Sequence, residues 1–168
     1  MPLLIKNGRV TADPWTLVPD DEPLPASGPV IVSLPRLRAE RDSLLTRSEP
    51  LGVRLKSSEL AREIVRDAGA LALIALEFPS FRDGRAYSTA RLLRERYGFR
   101  GELRAVGNVL RDQFLFMHRC GFDAFEVADE KAAEAWGKAI AEMTVFYQAT
   151  GDGRTPASLL RRMQRAAE

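Results

Sequence analysis

Apolar positions along this chain come in short unbroken runs, and the stretches between them carry apolar residues at helical spacing. The runs are Val30-Ile31-Val32-Ser33, Leu51-Gly52-Val53-Arg54-Leu55, Leu71-Ala72-Leu73-Ile74-Ala75-Leu76, Glu102-Leu103-Arg104-Ala105-Val106 and Asp123-Ala124-Phe125-Glu126-Val127. A short apolar run bounded by breakers reads as a buried strand. The intervening segments predict helices. One opens near Pro35 and carries Leu37, Leu44 and Leu45, and a second runs from Ser57 or Ser58, which can cap free amides, to Gly69. A third covers 84–97 and stops at Gly98, and a fourth covers 109–119 and closes at Gly121. A long last helix over 129–148 carries Ala132, Ala135, Trp136, Ala139, Ile140, Met143, Phe146 and Tyr147.

This alternation predicts an α/β fold, a parallel sheet of about five strands joined by right-handed helical crossovers. The chain is too short for a complete eight-stranded barrel. An open doubly wound sheet is the first expectation and a curved partial barrel the second. In either, sites gather at the carboxyl ends of the strands, here Ser33, Lys56, Glu77 with Phe78, Gly107 with Asn108, and Ala128 with Asp129.

Residues 1–29 read as a small β element followed by a loop. Leu3-Leu4-Ile5-Lys6 and Trp15-Thr16-Leu17-Val18 flank the turn dipeptide Asn7-Gly8 and a second breaker at Asp13-Pro14. Pro19, Pro23, Pro25 and Pro29, with Asp20, Asp21 and Glu22, mark a linker or surface loop. Residues 30–148 form the α/β domain. Gly151-Asp152-Gly153 then breaks the chain, and 149–168 is a basic amphipathic tail, with Leu159, Leu160 and Met163 on one side and Arg161, Arg162 and Arg165 elsewhere.

Composition narrows the function classes. A chain of 168 residues is long enough to bury one proper core. The net charge of +2, spread along several segments, argues against nucleic acid. No apolar run approaches a membrane span, and the first residues lack the basic-then-apolar form of a signal peptide. The single cysteine, Cys120, forms no intrachain disulfide, which fits the cytoplasm. One cysteine and one histidine, His118, build neither a zinc site of the usual type nor an iron–sulfur cluster, so no metal is expected. No nucleotide-binding fingerprint is present, and the cofactor stays unassigned, flavin included. A homo-oligomer is compatible with all of this.

The chemistry-bearing residues concentrate between Leu71 and Val127. Arg104 lies inside a strand that would be apolar on both faces between helices, so it needs a carboxylate partner; Glu77 and Glu102 are the candidates. Glu77, Glu102, Arg104 and Glu126 form either a structural ion-pair network or a substrate-binding and acid/base cluster, with Glu77 and Arg104 the catalytic candidates. The loop bearing Arg82, Asp83, Gly84, Arg85, Tyr87 and Ser88, with Arg91 beyond it, reads in two ways. It is a capped helix start with solvated arginines, or a site for an anion or partner where helix-terminal amides and arginines act together. His118 reads as a packed or surface residue, Cys120 as a buried inert thiol. Phe114, Phe116 and Met117 belong to core or interface.

The run Phe78-Pro79 to Ser88, Ala90-Arg91-Leu92-Leu93-Arg94, Gly101-Glu102-Leu103-Arg104-Ala105-Val106-Gly107, Leu110-Arg111-Asp112-Gln113 and Arg119-Cys120-Gly121-Phe122-Asp123-Ala124-Phe125 together resemble one bacterial family, domain of unknown function 934. Members are described as oxidoreductases involved in sulfite reduction. The resemblance implies an accessory factor or small oxidoreductase in assimilatory sulfite reduction, binding an oxyanion, sulfite reductase or another sulfur-assimilation protein. It brings no catalytic residues. Two other readings stay open: a non-catalytic protein-interaction module, and a small-molecule lyase or isomerase on a partial barrel with Glu77 as acid or base.

Overall fold

The structure, a computed structural model, describes residues 3–6, 8–128, 130–142, 145–150 and 155–167. Its centre is one curled eight-stranded sheet, a half-barrel. The strands are β1 (Leu3–Lys6), β2 (Arg9–Thr11), β3 (Thr16–Leu17), β4 (Val30–Ser33), β5 (Leu51–Leu55), β6 (Leu73–Phe78), β7 (Glu102–Gly107) and β8 (Ala124–Val127). Their order is β2-β1-β8-β7-β6-β5-β4-β3. From β3 to β8 all pairs are parallel, and β1 joins β8 and β2 antiparallel.

The five apolar runs therefore form a parallel sheet, but that sheet has eight strands where about five are expected. The three extra ones come from the first seventeen residues. The hairpin β1–β2 closes one edge, and the chain then crosses the sheet to add β3 at the opposite edge. Residues 12–15 form this crossing strap. Strand β6 begins at Leu73 and extends to Phe78, two residues later than the apolar run suggests.

The helices are α1 (Leu34–Ala39), α2 (Arg41–Leu45), α3 (Arg85–Arg91), α4 (Phe114–Arg119), α5 (Glu130–Glu142) and α6 (Ala157–Ala167). The helix expected from Ser57 or Ser58 to Gly69 is instead a pair of 3₁₀ turns, Ala61–Glu63 and Ala68–Ala70. Only Ala61, Ile64 and Ala68 in this segment are buried, too few to hold an amphipathic helix face against the sheet. Helix α3 continues as a π turn, Leu92–Arg96, and α4 is preceded by a 3₁₀ turn, Arg111–Gln113. The expected break at Gly151-Asp152-Gly153, and the start of the last helix at Asp129, lie outside the described residues.

Strand periodicity explains why the sheet is not doubly wound. Val30, Val32, Val53, Leu55, Ile74, Leu76, Phe78, Leu103, Ala105, Phe125, Val127 and Ile5 share one face. They pack with Leu34, Leu37 and Leu44 of α1 and α2, Ala86 and Ala90 of α3, Phe114 and Met117 of α4, and Ala139 of α5 in a single core. The alternate residues face the other way. There Ile31, Leu73, Ala75 and Val106 meet only Trp15 from the strap. Helices thus cover one face, and the inner, concave face keeps the polar half of each strand.

Cross-strand register sets that inner face out in rows. Ser33, Arg54, Ala75, Arg104, Ala124 and Lys6 stand side by side across β4, β5, β6, β7, β8 and β1. Carboxylates occupy the rows on either side: Glu102 two residues before Arg104, Glu77 two residues after Ala75, and Glu126 two after Ala124. Arg104 is fully buried. Its guanidinium reaches Asp13 of the strap at 2.6 Å, Glu102 at 2.7 Å and Glu126 at 3.6 Å. Glu102 also takes Lys6 at 2.7 Å. Of the two partners expected for Arg104, Glu102 is one; Glu77 faces Arg54 instead.

The strap continues into a loop held by two arginines. Arg36 of α1 donates to the carbonyls of Pro19 (2.6 Å) and Glu22 (2.8 Å), and Arg47 donates to those of Pro25 and Gly28, each at 3.2 Å. Carbonyls that a proline-rich loop leaves without a sheet partner are met by cationic donors. Arg104→Ala is expected to lower the unfolding free energy by about 3–5 kcal/mol, because three carboxylates lose a buried cation. Urea denaturation measures this, and an unchanged midpoint would show that the network carries no stability.

Candidate functional site

The inner face divides into two electrostatic regions. Around Arg104 the charges are saturated. Burial alone would depress its guanidinium, but the hydrogen bonds and charges of Asp13 and Glu102 outweigh that and hold it firmly protonated. Burial pushes the Glu126 carboxyl up, against the pull of Arg104 and then Arg54. The acid is half-buried and its nearest cation is shared with two others, so the rise reflects desolvation.

The second region lies at the carboxyl ends of β4, β5 and β6, where a cleft of about 260 Å³ opens. Ser33 and Pro35 line it from β4 and α1, Arg54, Lys56 and Glu59 from β5 and the turn after it, and Glu77 from β6. Leu17, Val18, Pro19 and Asp20 form the facing wall. Ser33 is fixed by two contacts: its hydroxyl caps α1 by accepting from the Arg36 amide at 3.1 Å, and it donates to Asp20 at 2.7 Å. Glu59 accepts from the Lys56 amide at 2.7 Å. The chemistry-bearing groups are looser. Arg54 and Glu77 approach to 3.5 Å without a hydrogen bond between them. Among the described residues, neither the Arg54 guanidinium nor the Lys56 ammonium has a hydrogen-bonded acceptor. On the same inner face, then, Arg104 is buried, hydrogen-bonded to Asp13 and Glu102 and paired with Glu126, whereas Arg54 is partly exposed and, among the described residues, pairs with Glu77 alone.

The residues singled out from sequence are not all brought together. Glu77 lines the cleft; Arg104 lies on the adjoining strand β7, closed off by the strap. Arg82, Asp83, Gly84, Arg85, Tyr87, Ser88 and Arg91 lie on the β6–α3 connection and α3. Arg85 folds back on Asp83 with contacts of 2.9 and 2.6 Å and reaches Ser57 at 2.9 Å. Hydrogen bonds from Arg85 and then Ser57 hold the Asp83 carboxyl well below the usual carboxylate range. Arg91 pairs with Glu95 one turn on, at 3.1 Å. Arg82 has no ion pair among the described residues.

Tyr87, Ser88 and Arg91 do share a groove of about 510 Å³ with Phe81, Asp112, Gln113, Phe116 and Cys120. Tyr87 stacks edge-on against Phe78, ring centroids 5.1 Å apart. The groove's rim is apolar and open, since Phe81 is 59% and Phe116 64% exposed. Its positioning depends on Gly107, which leaves β7 at φ +90; a Cβ there would come within 2.7 Å of the Phe78 carbonyl oxygen. That close approach sets the loops after β6 and β7 side by side. Burial pushes the Cys120 thiol up, the reverse of an activated thiolate. His118 stands edge-on to Trp136 at 6.1 Å.

Sequence reasoning named Lys56 only as a strand end and missed Arg54 and Asp13. Arg54 carried a usable signal, a charge inside an apolar strand run just like that of Arg104. Asp13 carried none, since nothing local shows that residue 13 will meet residue 104. Among the described residues no cluster of three His, Cys, Asp or Glu is placed to hold a metal ion, and no helix is long and apolar enough to cross a membrane.

Fold and site together define a small α/β half-barrel with a cleft at the carboxyl ends of β4, β5 and β6 that sets charged side chains against an apolar wall. The chain belongs to the family described as "Bacterial protein of unknown function (DUF934)", which matches residues 52–158. No curated protein matches it. The matched stretch contains Arg54, Lys56, Glu59 and Glu77, whereas the wall made by Leu17 to Asp20 precedes it.

The Asp83 arrangement is directly measurable. In Arg85→Gln the Asp83 carboxyl should titrate back up toward about 3.9, the value of an unperturbed aspartate. Carboxyl-carbon NMR titration of both proteins reads this, and an Asp83 that does not move would show that Arg85 is free in solution.

Proposed function

We propose that this protein is an accessory factor or small oxidoreductase of assimilatory sulfite reduction, and that its cleft seats the oxyanion end of a small ligand on Arg54 and Lys56. One observation carries the reading: Arg54 of β5 and Lys56 just after it line a cleft at the strand ends, and among the described residues neither has a hydrogen-bonded acceptor. Guanidinium and ammonium donors suit a sulfur oxyanion, since charge-assisted hydrogen bonds are about twice as strong as neutral ones. The cleft's place at the carboxyl ends of parallel strands is where such folds hold ligands. The sulfite context rests on the family resemblance of the sequence alone.

The Phe81–Phe116 groove supports a second reading, an interaction module. Exposed rings beside Arg82, Arg85 and Arg91 suit a partner surface with apolar and acidic groups, sulfite reductase being the partner the resemblance implies. In that reading Asp83, Gly84, Tyr87 and Ser88 shape the loop that meets it.

Calorimetric titration with sulfite and with 3-sulfopropanoate tests the first reading. Arg54→Gln should weaken binding by about tenfold, the loss of a charge-assisted hydrogen bond of about 1.5 kcal/mol, and added salt should weaken it further. No binding to the unaltered protein, or equal binding to Arg54→Gln, would overturn it. A pull-down with sulfite reductase tests the second, and retention undiminished by Phe81→Ser with Phe116→Ser would count against the groove. Growth of a deletion strain places the role. Rescue by cysteine or sulfide but not by sulfite assigns the reduction step, and normal growth on sulfate argues against the sulfur context.

A further inference from the structure

The same cleft holds groups that an oxyanion alone leaves unused. Arg54 stands on β5 and Lys56 just after it, and three carboxylates line the same cleft, Glu77 on β6, Asp20 after β3 and Glu59 in the turn beyond Lys56. A bare divalent anion entering between them would gain two cations and meet three carboxylates. Glu59 is engaged by the Lys56 amide, and Asp20 by the Ser33 hydroxyl. Glu77 is different. Its one charge contact is Arg54 at 3.5 Å, its carboxylate makes no hydrogen bond among the described residues, and it lines the cleft. A carboxylate and a guanidinium that pair at 3.5 Å, both partly buried and without a hydrogen bond between them, keep their donors and acceptors for a ligand that brings both signs of charge.

Size and shape narrow the class. At about 260 Å³ the cleft lies just below the roughly 300–1,000 Å³ of drug-sized sites, so it suits a metabolite of amino-acid dimensions. Val18, Leu17 and Pro35 add an apolar wall that a short carbon stem can cover. We infer, building on the anion reading above, that the ligand is a small zwitterion of the α-amino acid class. Its acidic group sits on Arg54 and Lys56 and its ammonium on Glu77. Glu77 is in this assignment a specificity-determining residue: it selects for the amine, while Arg54 and Lys56 supply the anion contact.

Paired ligands separate this inference from the reading beneath it. L-Cysteate and 3-sulfopropanoate share a sulfonate and a carboxylate and differ by the amine. Calorimetry on the full chain should give at least tenfold tighter binding of cysteate, and Glu77→Gln should erase that preference while leaving 3-sulfopropanoate binding in place. Equal affinity of the two ligands for the unaltered protein overturns the zwitterion assignment and leaves the anion seat standing. A Glu77→Gln variant that loses both ligands equally also overturns it, since Glu77 would then only hold Arg54 in position. If neither ligand binds, nor sulfite, the anion seat fails as well. The comparison of ligands on the unaltered protein decides the matter even where the variant does not fold.

Discussion

A guanidinium with no access to solvent, on a central strand, is the constraint around which this molecule is arranged. The effective cost of removing a charge from water is several kcal/mol even after the surroundings relax. Arg104 offsets that cost only by gathering carboxylates from three elements: Glu102 on its own strand, Glu126 on β8 and Asp13 on the strap. Asp13 is the long-range partner, and holding it draws residues 12–15 across the concave face. Trp15 then covers Ile31, Leu73, Ala75 and Val106, β3 reaches the far edge, and the residues after β3 come to rest as one wall of the cleft. The site at β4–β6 thus takes one wall from a segment that follows the strap pinned at the adjoining strand β7.

The same row of the sheet carries a second arginine, without a hydrogen-bonded acceptor among the described residues. Arg54 and Arg104 are separated in this row by Ala75. Around Arg104 the acids outnumber the cation and close over it. Arg54 pairs with Glu77 at 3.5 Å without a hydrogen bond and acts on Glu126 only through its charge. Identical residues in equivalent register therefore sit in different surroundings, one buried among three carboxylates and one partly exposed beside a cleft.

Much of this was legible in the sequence, for local reasons. The five parallel strands follow from apolar runs bounded by breakers, and the charge at Arg104 announced that carboxylates must be near. The half-barrel was the second expectation, because a charge every other residue reads equally as a buried network between two helical layers or as the polar lining of one concave face. What decides between them is the strap, and its path depends on pairings more than ninety residues apart. The segment after β5 misled because Ser57, Ser58 and Gly69 are sound helix punctuation, yet too little apolar surface lies between them to stabilise a helix. The cleft was half visible: Ser33, Lys56 and Glu77 are strand ends, but the wall from Leu17 to Asp20 belongs to a stretch whose prolines and acids suggest only a surface loop.

The pairing of β1 with β8 also has a consequence in time. Leu3 lies opposite Val127, and Asp13 meets Arg104 across 91 positions of sequence. During synthesis the first strands emerge long before the residues they must pair with, so the amino-terminal segment waits unpaired while β4, β5 and β6 assemble in order. Closure over so long a loop is entropically late and slow. The concave face, and with it the cleft wall, is completed only after β8 has left the ribosome. Until then the apolar side of β1 lacks its β8 partner.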